Sequence, residues 1–158
     1  MPEIVIDLQG VSFLGVPQLG AYTRTKTSFV PAQIGVYGTV PEWMPILGAR
    51  IVIDNMDPAK GIEVSLSGVV GRNAEGLVSF GVFRDGQLLE QVGAVFVPSS
   101  AAVAPLYLRW RDTTPLYGEH AYEFCWRIWS GTVNLGGRGD MNFVANVPSV
   151  MTLDEFVI

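Results

Sequence analysis

The sequence has a single cysteine and a single histidine among its 158 residues. Because Cys125 has no second cysteine to pair with, no internal disulfide can form, which fits folding in a reducing compartment. Because His120 stands alone, a metal site built from two or three histidines is excluded. The sequence therefore predicts no metal site and no cofactor.

Charged residues are scarce as well. They make up 16% of the chain, against about 25% in an ordinary soluble domain. The net charge is −5 and the only lysines are Lys26 and Lys60, so the clustered basic residues of a nucleic-acid surface are missing. No nucleic acid is expected as a partner. Hydrophobic residues reach 49%, and this surplus of apolar surface favours an oligomer.

Long hydrophobic runs are also missing. No uninterrupted apolar stretch approaches the roughly 18 residues that suggest a membrane span. Met1, Pro2 and Glu3 include none of the basic residues that open a signal peptide, and Asp7 interrupts the apolar residues that follow. We expect a soluble protein made in the cytoplasm, with no membrane partner.

Residues 1–48 show no regular hydrophobic periodicity. Prolines and glycines interrupt the segment at irregular intervals, which argues against helices. It is nevertheless too rich in aromatic side chains for a disordered tail. The pattern predicts an extended arm that lies along protein surface, either that of its own chain or that of a partner. The candidate contact residues are Phe13, Tyr22, Phe29, Tyr37 and Trp43.

Residues 49–158 alternate apolar and polar side chains in short runs separated by turns. About eight or nine such runs, with no amphipathic stretch of helical length, predict an all-β antiparallel sandwich or barrel. Asp85-Gly86 is the strongest hairpin signal, because a type I′ turn needs positive φ at both central residues. It predicts that residues 88–97 pair back on residues 77–84.

Two aromatic runs, residues 106–110 and residues 122–128, are the most regular part of the chain. Side chains on each run alternate between two faces, with the large apolar residues on one of them. The polar turn between the runs predicts that they pair as antiparallel neighbours, with three arginines on the opposite faces. Those arginines indicate either a solvated sheet face or salt bridges between subunits. The packing or oligomer candidates are Trp110, Tyr122, Phe124, Trp126, Trp129, Arg109, Arg111 and Arg127.

The polar turn between the two aromatic runs contains residues that could carry either chemistry or a structural role. Asp112, Glu119 and His120 could in principle form an acid/base site. Aspartate before a turn more often caps it through backbone hydrogen bonds, so a structural turn is favoured. Cys125 has no basic neighbour in sequence to make it reactive. The tripeptide Arg138-Gly139-Asp140 matches an integrin motif but is short enough to recur by chance. No enzyme is predicted.

From residue 112 onward the motifs resemble those of a known group of proteins. The series WRDTTPLYGEHAYEF, then SGTV, then TLDEF is similar to the C-terminal half of TNF-like jelly rolls in the virion proteins of tailed bacteriophages. Asp85-Gly86 resembles a hairpin that those domains often carry upstream. The resemblance covers residues 60–158 and none of the arm. Leu116-Tyr117 departs from it, because the family usually has small residues at those positions.

The resemblance implies a trimeric jelly roll at residues 49–158, displayed on a virion that is assembled in the host cytoplasm. It implies a structural role as a capsid decoration or cement protein, with residues 1–48 binding the major capsid protein or another virion protein. A receptor-binding or glycan-binding fibre head on the same fold is the alternative, and exposed Trp129 or Tyr117 would favour it. An enzyme on a cupin-like barrel is a third hypothesis, weakened by the single histidine.

Overall fold

The computed structural model describes residues 4–7, 10–13, 22–36, 41–57, 59–72, 76–97, 103–137 and 148–158. Within these ranges every regular element is a β-strand, which confirms the all-β prediction. The strands are β1 (Ile4–Asp7), β2 (Gly10–Phe13), β3 (Tyr22–Val30), β4 (Gln33–Val36), β5 (Trp43–Asn55), β6 (Lys60–Arg72), β7 (Gly76–Arg84), β8 (Gln87–Val97), β9 (Val103–Asp112), β10 (Gly118–Ile128), β11 (Thr132–Leu135) and β12 (Ser149–Val157).

The strands form two antiparallel sheets packed as a sandwich, as predicted. In the first sheet the order is β3, β12, β6 and β9, and the short strands β4 and β11 pair with each other next to the far end of β6. In the second sheet the order is β5, β10, β7 and β8. A separate two-stranded sheet joins β1 to β2.

The eight long strands pair in a nested order. β7 pairs with β8, β6 with β9, β5 with β10 and β3 with β12, so each pair encloses the one before it along the chain. This is the arrangement of an antiparallel ribbon folded across two sheets, and the resulting sandwich is compatible with a jelly roll.

The core lies between the two sheets and follows the alternation of the strands. Leu106 and Leu108 of β9, with their neighbours on β6 and β12, line the first sheet. Tyr122, Phe124 and Trp126 of β10 line the second and are at most 2% exposed. Burial of these large side chains supplies most of the favourable free energy of folding.

One hairpin prediction is confirmed. Asp85 and Gly86 have φ values of 52° and 80°, as a type I′ turn requires, and they connect β7 to β8. The predicted pairing of the two aromatic strands is wrong. β9 pairs with β6 in the first sheet, whereas β10 lies between β5 and β7 in the second. The turn at residues 113–117 therefore crosses from one sheet to the other.

Part of the predicted arm belongs to the sandwich. β3 pairs with β12 and β4 pairs with β11 of the same chain, so residues 22–36 follow the own-chain alternative. β5 also begins six residues before the predicted domain start at residue 49. Whether residues 1–21 contact a partner stays a prediction. Tyr37 and the side chains of Phe13 and Tyr22 lie outside the described part of the chain.

Candidate functional site

The outer face of the second sheet carries a group of apolar side chains that point away from the core. Residues paired directly across strands lie on the same face of a sheet. Phe83 is paired with Leu88, and Leu77 with Phe96. Leu88 is 45% exposed and Phe96 is 58% exposed. We call this surface the apolar face and define it by Trp43, Leu77, Phe83, Leu88, Phe96 and Trp129.

Arg127 lies in this face between two tryptophan rings. Its guanidinium carbon is 5.0 Å from the ring centroid of Trp43 and 5.0 Å from that of Trp129. Both distances are within the range of cation–π attraction. Its Nε atom is buried without a hydrogen-bond partner, and in the described residues no carboxylate forms an ion pair with it. A buried N–H donor without an acceptor is costly, so the Nε atom of Arg127 favours an acceptor from outside the chain.

The ring of Trp43 on β5 reaches across β10 and lies close over Gly81 of β7. A Cβ atom at Gly81 would lie 3.1 Å from this ring and 2.9 Å from Leu88 Cδ1, so a side chain there would force both neighbours to shift. Trp43 also makes an edge contact with Phe83, with ring centroids 5.8 Å apart. Cys125 on the adjacent strand is 3% exposed, and burial together with Glu123 raises the pKa of its thiol to about 12. Cys125 is therefore a packed, unreactive thiol.

The three arginines predicted to project together are divided between the sheets. Arg109 and Arg111 lie on the outer face of the first sheet, where both form ion pairs with the buried carboxylate of Glu63. Arg111 also lies over the ring of Phe156, 4.9 Å from its centroid. Arg127 is in the second sheet because β9 and β10 are not neighbours. These pairs form within one chain.

A buried carboxylate connects the two sheets at one end of the sandwich. Asp112 Oδ2 accepts hydrogen bonds from Arg84 Nη1 and from the Tyr122 hydroxyl, each 2.7 Å long. Its other oxygen accepts the backbone N–H of Thr114. Burial, then the Asp112 carboxylate, raise the pKa of Tyr122 above its ordinary value. The partners of Asp112 are two side chains of the sandwich and a backbone N–H of the turn. These contacts fit the turn-capping role predicted for Asp112.

His120 links the turn between β7 and β8 to the turn at residues 113–117, which crosses between the sheets. Its Nδ1 lies 2.6 Å from Asp85 Oδ2, and its Nε2 lies 3.0 Å from the carbonyl oxygen of Tyr117. Both partners can only accept, so both ring nitrogens donate and the imidazolium form is favoured. The hydrogen bond to Asp85 raises the pKa of His120. Among the described residues Asp112 bonds to Arg84, Tyr122 and Thr114, and His120 bonds to Asp85 and Tyr117, so no hydrogen bond pairs Asp112 with His120.

An open groove of about 260 Å³ lies beside the ends of β3, β5 and β12. It is lined by Arg24, Asp54, Met56, Asp57, Lys60 and Glu155. Glu155 accepts from Arg24 at 2.9 Å and from Lys60 at 3.1 Å. With Asp54 and Asp57, the lining has three carboxylates against two cations, which argues against an anion site.

Membrane spans and metal clusters were two further possibilities. Across the described ranges, no helix is long and apolar enough to cross a membrane. Among the same residues, no group of three or more His, Cys, Asp or Glu side chains could hold a metal ion. The integrin-like tripeptide at residues 138–140 lies outside the described residues.

The predicted packing and oligomer residues are divided between the core and the outer faces of the two sheets, with Arg109 and Arg111 on the first sheet. Tyr122, Phe124 and Trp126 are core residues, and Trp110 is half-buried and donates its ring N–H to Glu90. Arg127, Trp129 and Trp43 lie together in the apolar face. Sequence reasoning missed Phe83, Leu88 and Phe96. Their signal was present, since β7 and β8 carry apolar residues at both odd and even positions and so on both faces.

No protein-family model and no curated protein sequence matches the chain. Among solved structures, it is similar to a chain of infectious bursal disease virus Gt strain, with 14% identity and a TM-score of 0.43 over 100% of this chain and 41% of that one. It is also similar to VP2 of the infectious bursal disease virus subviral particle, with 13% identity and a TM-score of 0.39, over 100% of this chain and 42% of that one. The enzymatically active domain of tailspike protein 4 from bacteriophage CBA120 is similar with 10% identity and a TM-score of 0.29, over 86% of this chain and 20% of that one. The chain thus spans about two fifths of the infectious bursal disease virus chains.

Proposed function

We propose that this protein is a structural virion protein, a trimeric capsid decoration or cement protein that stabilises a phage head. The observation that carries the proposal is the apolar face on the second sheet. Leu88 and Phe96 stand well exposed on it, although covering such a side chain contributes about 1.5–3 kcal/mol. A contiguous exposed apolar patch of this kind is typical of a protein–protein interface.

Arg127 supports an interface made with another copy of this chain. The stack of Trp43, Arg127 and Trp129 is already ordered, so little side-chain entropy is lost when a partner covers it. Aromatic residues and arginine are the residue types that contribute most at interface centres. The chain has 15 Asp and Glu residues, so a second copy can offer a carboxylate to the buried Nε atom of Arg127.

The decoration role combines this interface with attachment to the capsid. The motifs at residues 112–156 resemble phage TNF-like jelly rolls, which are trimeric virion proteins. Because residues 22–36 are used within the sandwich, we assign binding of the major capsid protein to residues 1–21. Apolar contacts at both places would hold neighbouring subunits together against the pressure of the packaged genome.

The mass of the full-length protein in solution tests the trimer. The wild type is expected to contain three chains. Leu88→Glu and Phe96→Glu place a charge in the apolar face and are expected to give folded monomers, because an unpaired charge would be buried in the interface. Leu116→Glu is the matched control, since Leu116 is equally exposed but lies in the crossing turn. A wild-type monomer, or a trimer that survives both face variants, would contradict the proposal.

The particle role is tested separately. Quantitative mass spectrometry of virions of the phage that encodes this chain should find it in a fixed ratio to the major capsid protein. A handful of copies per particle would assign it to the tail instead, and its absence would refute a virion role.

A further inference from the structure

The outer face of the first sheet differs in chemistry from the apolar face. Its composition follows from the register of β3, β12, β6 and β9, which aligns the outward side chains in three parallel rows. Neighbouring strands lie about 4.8 Å apart, so each row is about 14 Å long between its outermost strands. We call this surface the hydroxyl face, after its middle row.

The upper row has an exposed aromatic ring at each end. It runs from Phe29 through Val150 and Ser67 to Tyr107. Phe29 is 75% exposed and Tyr107 is 68% exposed. Because the two residues between them are short, both rings border an open strip of sheet rather than packing on larger neighbours.

The middle row consists of short hydroxyl side chains and one arginine. Thr27, Thr152 and Ser65 lie side by side and end at Arg109. Hydroxyl groups both donate and accept hydrogen bonds, and a guanidinium presents several donors in one plane. The row therefore forms a polar strip across the sheet, next to the row that ends in the two exposed rings.

The lower row carries two carboxylates and one guanidinium. It runs from Thr25 through Asp154 and Glu63 to Arg111. With Arg109 of the middle row, two positive charges face two negative ones. Asp154 accepts the Thr25 hydroxyl at 2.6 Å, and Glu63 is held by the two arginines. A surface without net charge does not favour a polyanion such as a nucleic acid.

We propose that the hydroxyl face binds a neutral carbohydrate chain. Sugar rings combine apolar C–H faces with hydroxyl groups at their edges, so they match exposed aromatic rings beside a strip of donors and acceptors. Tyr107 and Phe29 stack on sugar rings, while Thr152, Ser65 and Arg109 bond to their hydroxyls. The charge balance selects a neutral chain over an acidic one.

The sequence had pointed to Trp129 or Tyr117 as the exposed aromatics of a glycan site. The structure puts Trp129 in the stack with Arg127, where the trimer proposal uses it. Tyr117 lies in the crossing turn, outside the rows of the hydroxyl face. The carbohydrate site is thus on the sheet opposite the apolar face, and it does not depend on the trimer.

Native gel electrophoresis of the full chain through separate gels containing dextran, laminarin, galactomannan or xylan tests the proposal. At least one of these neutral polysaccharides is expected to retard the wild type. Tyr107→Ala and Phe29→Ala should each weaken that binding about tenfold, a change of about 1.4 kcal/mol. Tyr117→Ala is the matched control, since Tyr117 has nearly the same exposure, and it should be retarded like the wild type.

Three outcomes would overturn the proposal. They are retardation by none of the four polysaccharides, equal retardation of Tyr107→Ala and the wild type, and retardation only in a fifth gel that contains acidic alginate. A change in the solution mass of Tyr107→Ala with unchanged retardation would show that a second copy covers this face instead. Leu88→Glu separates this test from the trimer test, because it should change the mass and leave retardation intact.

Discussion

The buried carboxylate between the sheets leads to a quantitative prediction. Asp112 is 5% exposed, and its Oδ2 holds both Arg84 and Tyr122 at 2.7 Å. Asp112→Asn keeps the size of the side chain but removes its charge. Breaking a buried ion pair by removing one partner costs about 3–5 kcal/mol. Because Arg84 keeps some contact with solvent, we expect the low end of this range, about 3 kcal/mol.

Two companion variants divide this loss between its causes. Tyr122→Phe removes one hydrogen bond to a charged group and leaves the ion pair intact, so we expect about 1.5 kcal/mol. Replacing all three groups in Arg84→Met, Asp112→Leu and Tyr122→Phe removes every charge and hydroxyl from the cluster. Apolar replacement of a whole buried polar cluster is often close to neutral. The triple variant should therefore be more stable than Asp112→Asn.

Urea unfolding, followed by tryptophan fluorescence, measures these differences. The protein concentration must be the same for all variants, because the stability of an oligomer depends on it. Asp54→Asn, an exposed aspartate on β5, is the control and should change stability by less than about 0.5 kcal/mol. The reasoning fails if Asp112→Asn costs no more than Tyr122→Phe, or if the triple variant is the least stable.

Two other predictions concern His120 and the first 21 residues. The raised pKa of His120 means that its contribution to stability is complete below the unfolded pKa of 6.5 and is lost as the pH rises through the folded pKa. The stability lost in His120→Gln, at most about 1 kcal/mol for this partly exposed pair, should thus shrink with rising pH in urea titrations, and a constant difference would contradict it. Deleting residues 1–21 removes no strand of the sandwich, so it should leave the trimer intact and abolish cosedimentation with phage particles; retained cosedimentation would refute the capsid attachment.

Local features of the fold could be predicted from the sequence because short-range rules determine them. Asp85-Gly86 specifies its own turn conformation, and the alternation in β10 identifies Tyr122, Phe124 and Trp126 as buried. Alternation shows which face of a strand is buried, but it does not identify the neighbouring strand. The predicted pairing of β9 with β10 was wrong for that reason. The polar turn between these strands fits a hairpin and a crossing between sheets equally well.

The candidate surfaces depend on pairing between distant strands, so the sequence alone could not predict them. Trp43 reaches Arg127 only because β5 lies beside β10, and Tyr107 joins the row of Phe29 only through β12 and β6. Strand β3 was not predicted, because its sequence is polar and rich in threonine and lacks a clear apolar face. Its partner β12 lies more than a hundred residues away, beyond the range of any local pattern.

The nested pairing of the strands also sets an order of folding. β7 and β8 are joined by a two-residue turn and can pair within microseconds, whereas β3 and β12 must close a loop that contains most of the chain. Until β12 pairs with β3 and β6, the hydrogen-bonding edges of these two strands remain open to pairing with other molecules. Folding should therefore be slow, and the risk of aggregation should depend mainly on how soon the strand at Ser149–Val157 takes its place.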